Sequence, residues 1–134
     1  MTASTAEHTP AYLDTHVVVW LAAGELSRIS SKAQIVLETA ELLISPMVLL
    51  ELEYLFEVKR ITLTARDIQR KVEHEIGVRL CDLPFAEIAS AALDEKWTRD
   101  PFDRMIVAQA KASGFAPLLT ADAEIAQFYP RTIW

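Results

Sequence analysis

Residues 99–122, RDPFDRMIVAQAKASGFAPLLTAD, carry one complete helix-to-strand unit. Asp100 ahead of Pro101 is the pattern of a helix N-cap followed by proline, whose missing N–H costs nothing in a first turn. Ile106, Val107 and Ala110 then recur at helical spacing, and Gly114 supplies a stop. Pro117-Leu118-Leu119-Thr120 is a short apolar run of the kind used by a strand buried on both faces. Asp122 opens a further short helix to Phe128, and Arg131–Trp134 reads as an edge strand.

The same alternation runs back through the chain. Ala11-Tyr12-Leu13 reads as a short central strand ending at Asp14, with a helix over 17–23 stopped at Gly24. Ser30 and Ser31 offer caps for a helix over about 32–40, and Leu42-Leu43-Ile44 is a second buried strand. Pro46 suits the first turn of a helix running to about Lys59. Thr64 caps a helix closed by Gly77; Val78–Leu80 is a third strand, read as buried, and Pro84 opens a helix to about Lys96. Strands alternating with helices predict an α/β fold, an α/β/α sandwich around a mostly parallel sheet. The domain reading is a polar N-terminal tail over 1–10 and a single domain over 11–134.

Hydrophobic residues make up 51% and charged residues 24% of the 134, the balance of a chain with a genuine core. Residues 1–10 carry neither a basic cluster nor an apolar run, and no stretch approaches the roughly 20 apolar residues of a membrane span. With Cys81 the lone cysteine, no internal disulfide is possible. The expectation is a cytoplasmic protein with no membrane association, Cys81 serving as a small core hydrophobe. Nineteen acids against thirteen bases give a net charge of −6, which argues against broad charge-driven binding of nucleic acid.

The acids themselves are placed with purpose. In a parallel sheet, ligands bind beyond the carboxyl ends of the strands. Asp14 follows the first strand and Asp122 the fourth, so two acids distant in sequence reach one rim. Glu51 lies among Met47, Val48 and Leu55 on a very apolar helix, where an ionised carboxylate is costly without a cation. Glu53 and Glu57 share another, solvated face. Asp103 falls in the first turn of its helix, favoured by the helix dipole and able to project to the same rim. Two carboxylates about 5 Å apart repel by about 3 kcal/mol at an effective dielectric of 20. Oxygen ligands in this number select Mg²⁺ or Mn²⁺ rather than zinc. Such an ion can activate water against a phosphodiester, so His8, His16 and His74 are not needed as general bases.

Leu13-Asp14-Thr15, Glu51 in the third helix, Asp100-Pro101-Phe102-Asp103-Arg104-Met105-Ile106-Val107-Ala108 and Leu118-Leu119-Thr120-Ala121-Asp122 together resemble the PIN-domain family. The likeness is nearest to the VapC-type toxins of bacterial toxin–antitoxin pairs and runs from about residue 11 to Trp134. It implies a Mg²⁺- or Mn²⁺-dependent endoribonuclease that cleaves RNA, forms a homodimer and is inhibited by a small VapB-like antitoxin. On the family's pattern Asp14, Glu51, Asp103 and Asp122 match the acidic metal-holding positions, Thr120 supports the last, and Asp100 belongs to an outer shell. The residue before Arg99, often His in this subgroup, is Thr98 here.

Setting those four acids aside leaves fifteen against thirteen bases, close to balance. Arg99, Arg104 and Lys111 lie on or near the Asp103 helix and are candidates to meet phosphate, Arg104 also to orient an acid. The excess of Leu49, Leu52, Leu55 and Phe56 on the third helix reads either as core or as a groove for an antitoxin helix. Two other readings stand beside the nuclease: a PIN fold kept only for binding, and a phospho-receiver domain with Asp82 forced into the role of acceptor.

Overall fold

Pro10–Leu13 forms β1, and Ala11, Tyr12 and Leu13 are all buried. Successive strand residues point to opposite faces, so three buried in a row mean that both faces of the strand are covered. This is the centre of the sheet in the computed structural model, which describes residues 9–134. All but the last two residues of the expected N-terminal tail fall outside that range, and Pro10 already belongs to β1.

The other elements follow in chain order: α1 Thr15–Ala22, a 3₁₀ turn Leu26–Arg28, α2 Ser31–Thr39, β2 Glu41–Ile44, α3 Pro46–Glu57 and α4 Ala65–Ile76. Then come β3 Arg79–Leu80, α5 Phe85–Ala92, α6 Pro101–Ala112, β4 Leu118–Leu119, α7 Ala123–Phe128 and β5 Thr132–Ile133. Every strand pairing is parallel, in the order β3-β2-β1-β4-β5. The predicted α/β architecture and parallel sheet are therefore found. Among the described residues no helix is long and apolar enough to cross a membrane.

The caps explain most boundaries. Ser30, Ser45 and Thr64 accept from backbone N–H groups in the first turns of α2, α3 and α4, as their residue types predict. Gly77 closes α4 in the left-handed conformation at φ 74°, which glycine adopts without a steric penalty. α1 starts at Thr15, two residues earlier than expected, because the Asp14 side chain accepts from Thr15 N and caps it.

Three expectations need correction. β3 is an edge strand, not a buried one: among the described residues nothing pairs beyond it, Arg79 and Leu80 are exposed, and Arg79 forms an ion pair with Glu41 on β2. Pro84 is the N-cap of α5 rather than its first helical residue, and α5 ends at Ala92. Turn bonds such as Glu95 N to Ala92 O (3.1 Å) then carry the chain inward, and the Glu95 side chain is buried. Glu53 is half-buried, not on a solvated face, and accepts from Ala65 N at 3.1 Å, helping to start α4.

Cys81 is buried as expected but is not merely apolar. Its Sγ accepts from the Tyr12 hydroxyl at 2.8 Å and from Gln109 Nε2 at 3.1 Å, joining β1, the residue after β3 and α6. The core runs on both sides of the sheet from Leu13, Val17 and Val48 to Ile106, Leu118 and Ile125, with a smaller cluster of Ile88, Ala92, Met105 and Ala108 between α5 and α6.

Candidate functional site

Leu13 on β1 stands opposite Leu119 on β4, so the two strands end side by side and their following residues share one rim. The chain leaves β1 toward β2 on one side and reaches β4 by crossing to the other, making this the switch point at which parallel sheets open a crevice. A cleft of about 320 Å³ lies there, lined by Asp14, Thr15, His16, Val19, Glu51, Leu55, Arg60, Ile61, Asp100, Asp103 and Asp122. All four acids singled out in the sequence reach it, with Asp100 as a fifth.

Asp14 is 4% exposed. Its Oδ1 accepts from Thr15 N at 2.8 Å and its Oδ2 from the Thr120 hydroxyl at 2.7 Å. Burial nevertheless holds its carboxyl above the usual range, against the lowering effect of His16 and those hydrogen bonds. Thr120 serves Asp122 as well, its Oγ1 accepting from Asp122 N at 3.0 Å and so linking the Asp14 side chain to the Asp122 backbone. Asp122 then caps α7, its Oδ1 accepting from Glu124 N at 2.8 Å and Ile125 N at 3.3 Å. Asp100 caps α6 in the same way through Oδ1 to Phe102 N and Asp103 N, so capping and membership of the cleft are not alternatives.

Glu51 is half-buried on α3, its pKa raised by burial first and by the Asp14 and Asp100 charges after it. The Thr15 hydroxyl donates to its Oε1 at 2.5 Å. Sequence reading missed Thr15. The signal was its position directly after Asp14, where the first turn of α1 leads back over the cleft. Asp103 is pushed up to about 7, by burial and then by Asp100, Asp14, Glu51 and Asp122 in turn. Burial disfavours the charged form, and four like charges around one carboxyl add to it.

The remaining expected residues divide. Arg104 is not among the cleft-lining residues; its Nε donates to Thr98 O at 2.8 Å. Thr98, where the family pattern often has His, accepts from Asp100 N at 3.1 Å and so shapes the turn into α6. Lys111 is not available to phosphate: its Nζ lies 2.6 Å from the buried Glu95, which also accepts from Trp97 Nε1. His16 and Arg60 line the cleft without having been singled out for it. Ala121 N donates to His16 Nε2 at 2.9 Å, and His16 Nδ1 lies 3.6 Å from Asp14 Oδ2. His16 also packs on Trp20 at 4.9 Å between centroids.

The five acids share a cleft, but among the described residues no three of them stand close enough together to hold an ion. Several of their oxygens are already engaged, by helix-cap N–H groups at Asp14, Asp100 and Asp122 and by the Thr15 and Thr120 hydroxyls at Glu51 and Asp14. The donor set nonetheless suits a hard divalent cation. No hydrogen bond engages Glu51 Oε2, Asp100 Oδ2, Asp122 Oδ2 or either oxygen of Asp103 among the described residues. Against five carboxylates the lining offers one arginine and no lysine. Asp82 is exposed at the sheet edge and outside this cleft. That placement, with β1 rather than β3 central, excludes the phospho-receiver reading, whose order is 2-1-3-4-5.

Comparisons with known proteins agree with this geometry. A sequence-family profile described as PIN domain matches residues 11–129. Similar solved structures include a chain of a toxin–antitoxin complex from Klebsiella pneumoniae (TM-score 0.63, 18% identity, 92% of this chain and 96% of that one). Others are chains of VapBC2 from Rickettsia felis bound to a promoter DNA fragment (0.57, 17%, 93% and 96%) and VapBC-1 from nontypeable Haemophilus influenzae (0.54, 17%, 94% and 96%). At these identities the likeness is one of fold. No curated protein matches by sequence.

Proposed function

The chain belongs to the PIN-domain family, and from that premise we propose that it is a metal-dependent endoribonuclease, the toxin of a toxin–antitoxin pair. One observation carries the reading: five carboxylates from β1, α3, α6 and the β4–α7 turn line a single cleft with no equal positive charge. Such a grouping is destabilising for a fold and persists where function requires it.

In this reading Asp14, Glu51, Asp103 and Asp122 hold Mg²⁺ or Mn²⁺. When bound, such an ion would supply an activated water and offset charge on a phosphodiester. The chain's own groups prepare the site. Thr120 and Thr15 orient Asp14 and Glu51 by their hydroxyl hydrogens. Asp100 sits outside the four, capping α6 and raising Asp103. Its proximity keeps Asp103 eager for a cation at neutral pH.

The toxin assignment is supported by the toxin–antitoxin complexes among the similar structures. It is also supported by apolar surface on α3: Leu50 and Tyr54 are about half exposed and Leu49, Leu50 and Leu80 border a groove. A small antitoxin and a second copy of the chain are the partners proposed for such surface.

The test is cleavage of single-stranded RNA with Mg²⁺ or Mn²⁺. Activity abolished by chelator and by Asp14→Asn, with the fold intact, is the expected result. A folded, metal-loaded protein that leaves RNA whole overturns the nuclease and leaves the PIN fold as a binding module.

A further inference from the structure

Resting on the ribonuclease reading, we infer that Arg60 is the phosphate-gripping residue of the cleft, holding a backbone phosphate of single-stranded RNA next to the one that reacts. A polyanion entering a rim of five acids needs fixed positive charge besides the ion that meets the scissile group. Of the bases near α6, Arg99 is exposed and does not line the cleft, and the other two are committed. Lys111 is bound to buried Glu95 and Arg104 to Thr98 O. Arg28 is committed elsewhere, over the Trp20 ring at 4.7 Å and beside Glu25.

Arg60 differs from all of these. It lines the cleft with Asp14, Glu51, Asp100, Asp103 and Asp122, yet among the described residues its guanidinium makes no ion pair and no side-chain hydrogen bond. An arginine beside five carboxylates that folds onto none of them keeps its donor fork open. That planar fork matches phosphate oxygens two at a time. Its position is built rather than incidental. Lys59 before it sits at φ 64°, a left-handed conformation that a residue with a side chain adopts only under constraint. Lys59 N bonds Phe56 O at 3.0 Å and Arg60 N bonds Leu55 O at 2.8 Å, closing the end of α3. The sharp turn brings Arg60 and Ile61 back along the helix that carries Glu51.

The experiment measures affinity for a short fluorescein-labelled single-stranded oligoribonucleotide by anisotropy, with Ca²⁺ replacing Mg²⁺ and salt varied. Wild type, Arg60→Ala, Arg60→Lys and Arg70→Ala are compared, Arg70 being an exposed base on α4 that pairs with Asp67 outside the cleft. Arg60→Ala should weaken binding about tenfold and lower the slope of log affinity against log salt by about 0.7, the loss of one phosphate contact on a single strand. Arg60→Lys should restore the slope but only part of the affinity, and Arg70→Ala should change neither. The Mg²⁺-induced rise in Tm should be the same in Arg60→Ala as in wild type. Unchanged affinity and slope in Arg60→Ala, with wild type cleaving RNA, overturns the role of Arg60 alone. Wild type that neither binds nor cleaves RNA removes the ribonuclease reading, and this inference with it.

Discussion

Replacing Asp103 by Asn should make the ion-free protein more stable while removing its response to magnesium. The side chain accepts no hydrogen bond among the described residues, so the amide loses nothing there, and burial, followed by four neighbouring carboxylates, raises its pKa to about 7. In water a like charge about 8 Å away costs roughly 0.5 kcal/mol, so four together cost about 2 kcal/mol. Salt and partial exposure reduce this to about 1 kcal/mol. For a chain of this length that is a rise in Tm of about 4 °C in chelator at pH 8. The sign with pH is explicit. Folded Asp103 holds its proton up to about 7, whereas the unfolded side chain releases it near the ordinary value of 3.8. Wild-type stability from this group is therefore full below that lower value and is lost as pH rises toward 7 and beyond. The gain from Asp103→Asn should thus be seen at pH 8 and vanish near pH 5. Magnesium at about one hundred times its dissociation constant should stabilise wild type by about 2.7 kcal/mol and the variant by far less. Thermal unfolding by circular dichroism, at both pH values with chelator or Mg²⁺, reads all four quantities. A variant that is less stable at pH 8 in chelator, or that keeps the full magnesium shift, refutes the account of Asp103 as a repelled ligand.

Other perturbations have equally definite outcomes. Thr120→Val removes the hydroxyl that serves both Asp14 and Asp122 N, and should cost about 1–3 kcal/mol and at least a tenfold loss of cleavage; unfolding and RNA-cleavage assays check it. Lys111→Met strands the buried Glu95 carboxylate and should cost about 3 kcal/mol, read as a lower urea midpoint, with little effect on metal affinity. Lys59→Gly relieves the positive φ and should leave stability equal or higher by up to about 1 kcal/mol in the same titration. Without added metal, wild-type Tm should rise as pH is lowered from 8 to 6, because burial raises Asp14 and Glu51 in the same direction as Asp103; a Tm that falls over that range contradicts the shared cause.

Periodicity, caps and prolines made the alternating elements legible, because those signals act within a few residues. Pro46 and Pro101 do open α3 and α6, and Gly77 does close α4. The edge character of β3 was hidden, since Val78–Cys81 has the composition of a buried strand and only its place in the sheet leaves Arg79 and Leu80 uncovered. The early start of α1 was hidden for a related reason: the Asp14 side chain sets that boundary by capping it, outside the periodic pattern.

At the site, residue type and strand-end position by themselves determined that Asp14 and Asp122 would face one rim, because a parallel sheet delivers its carboxyl ends to one side, and the first-turn position of Asp103 pointed to the same rim. An apolar helix carrying Glu51 completed the set for the same reason of charge and burial. Which bases stay uncommitted was decided only in three dimensions. Lys111 and Arg104 are consumed by Glu95 and Thr98 O, whereas Arg60, unremarkable in the chain, is turned into the cleft by the left-handed Lys59. Ion pairs and hydrogen bonds join groups far apart in sequence, so their allocation depends on packing that no local pattern encodes.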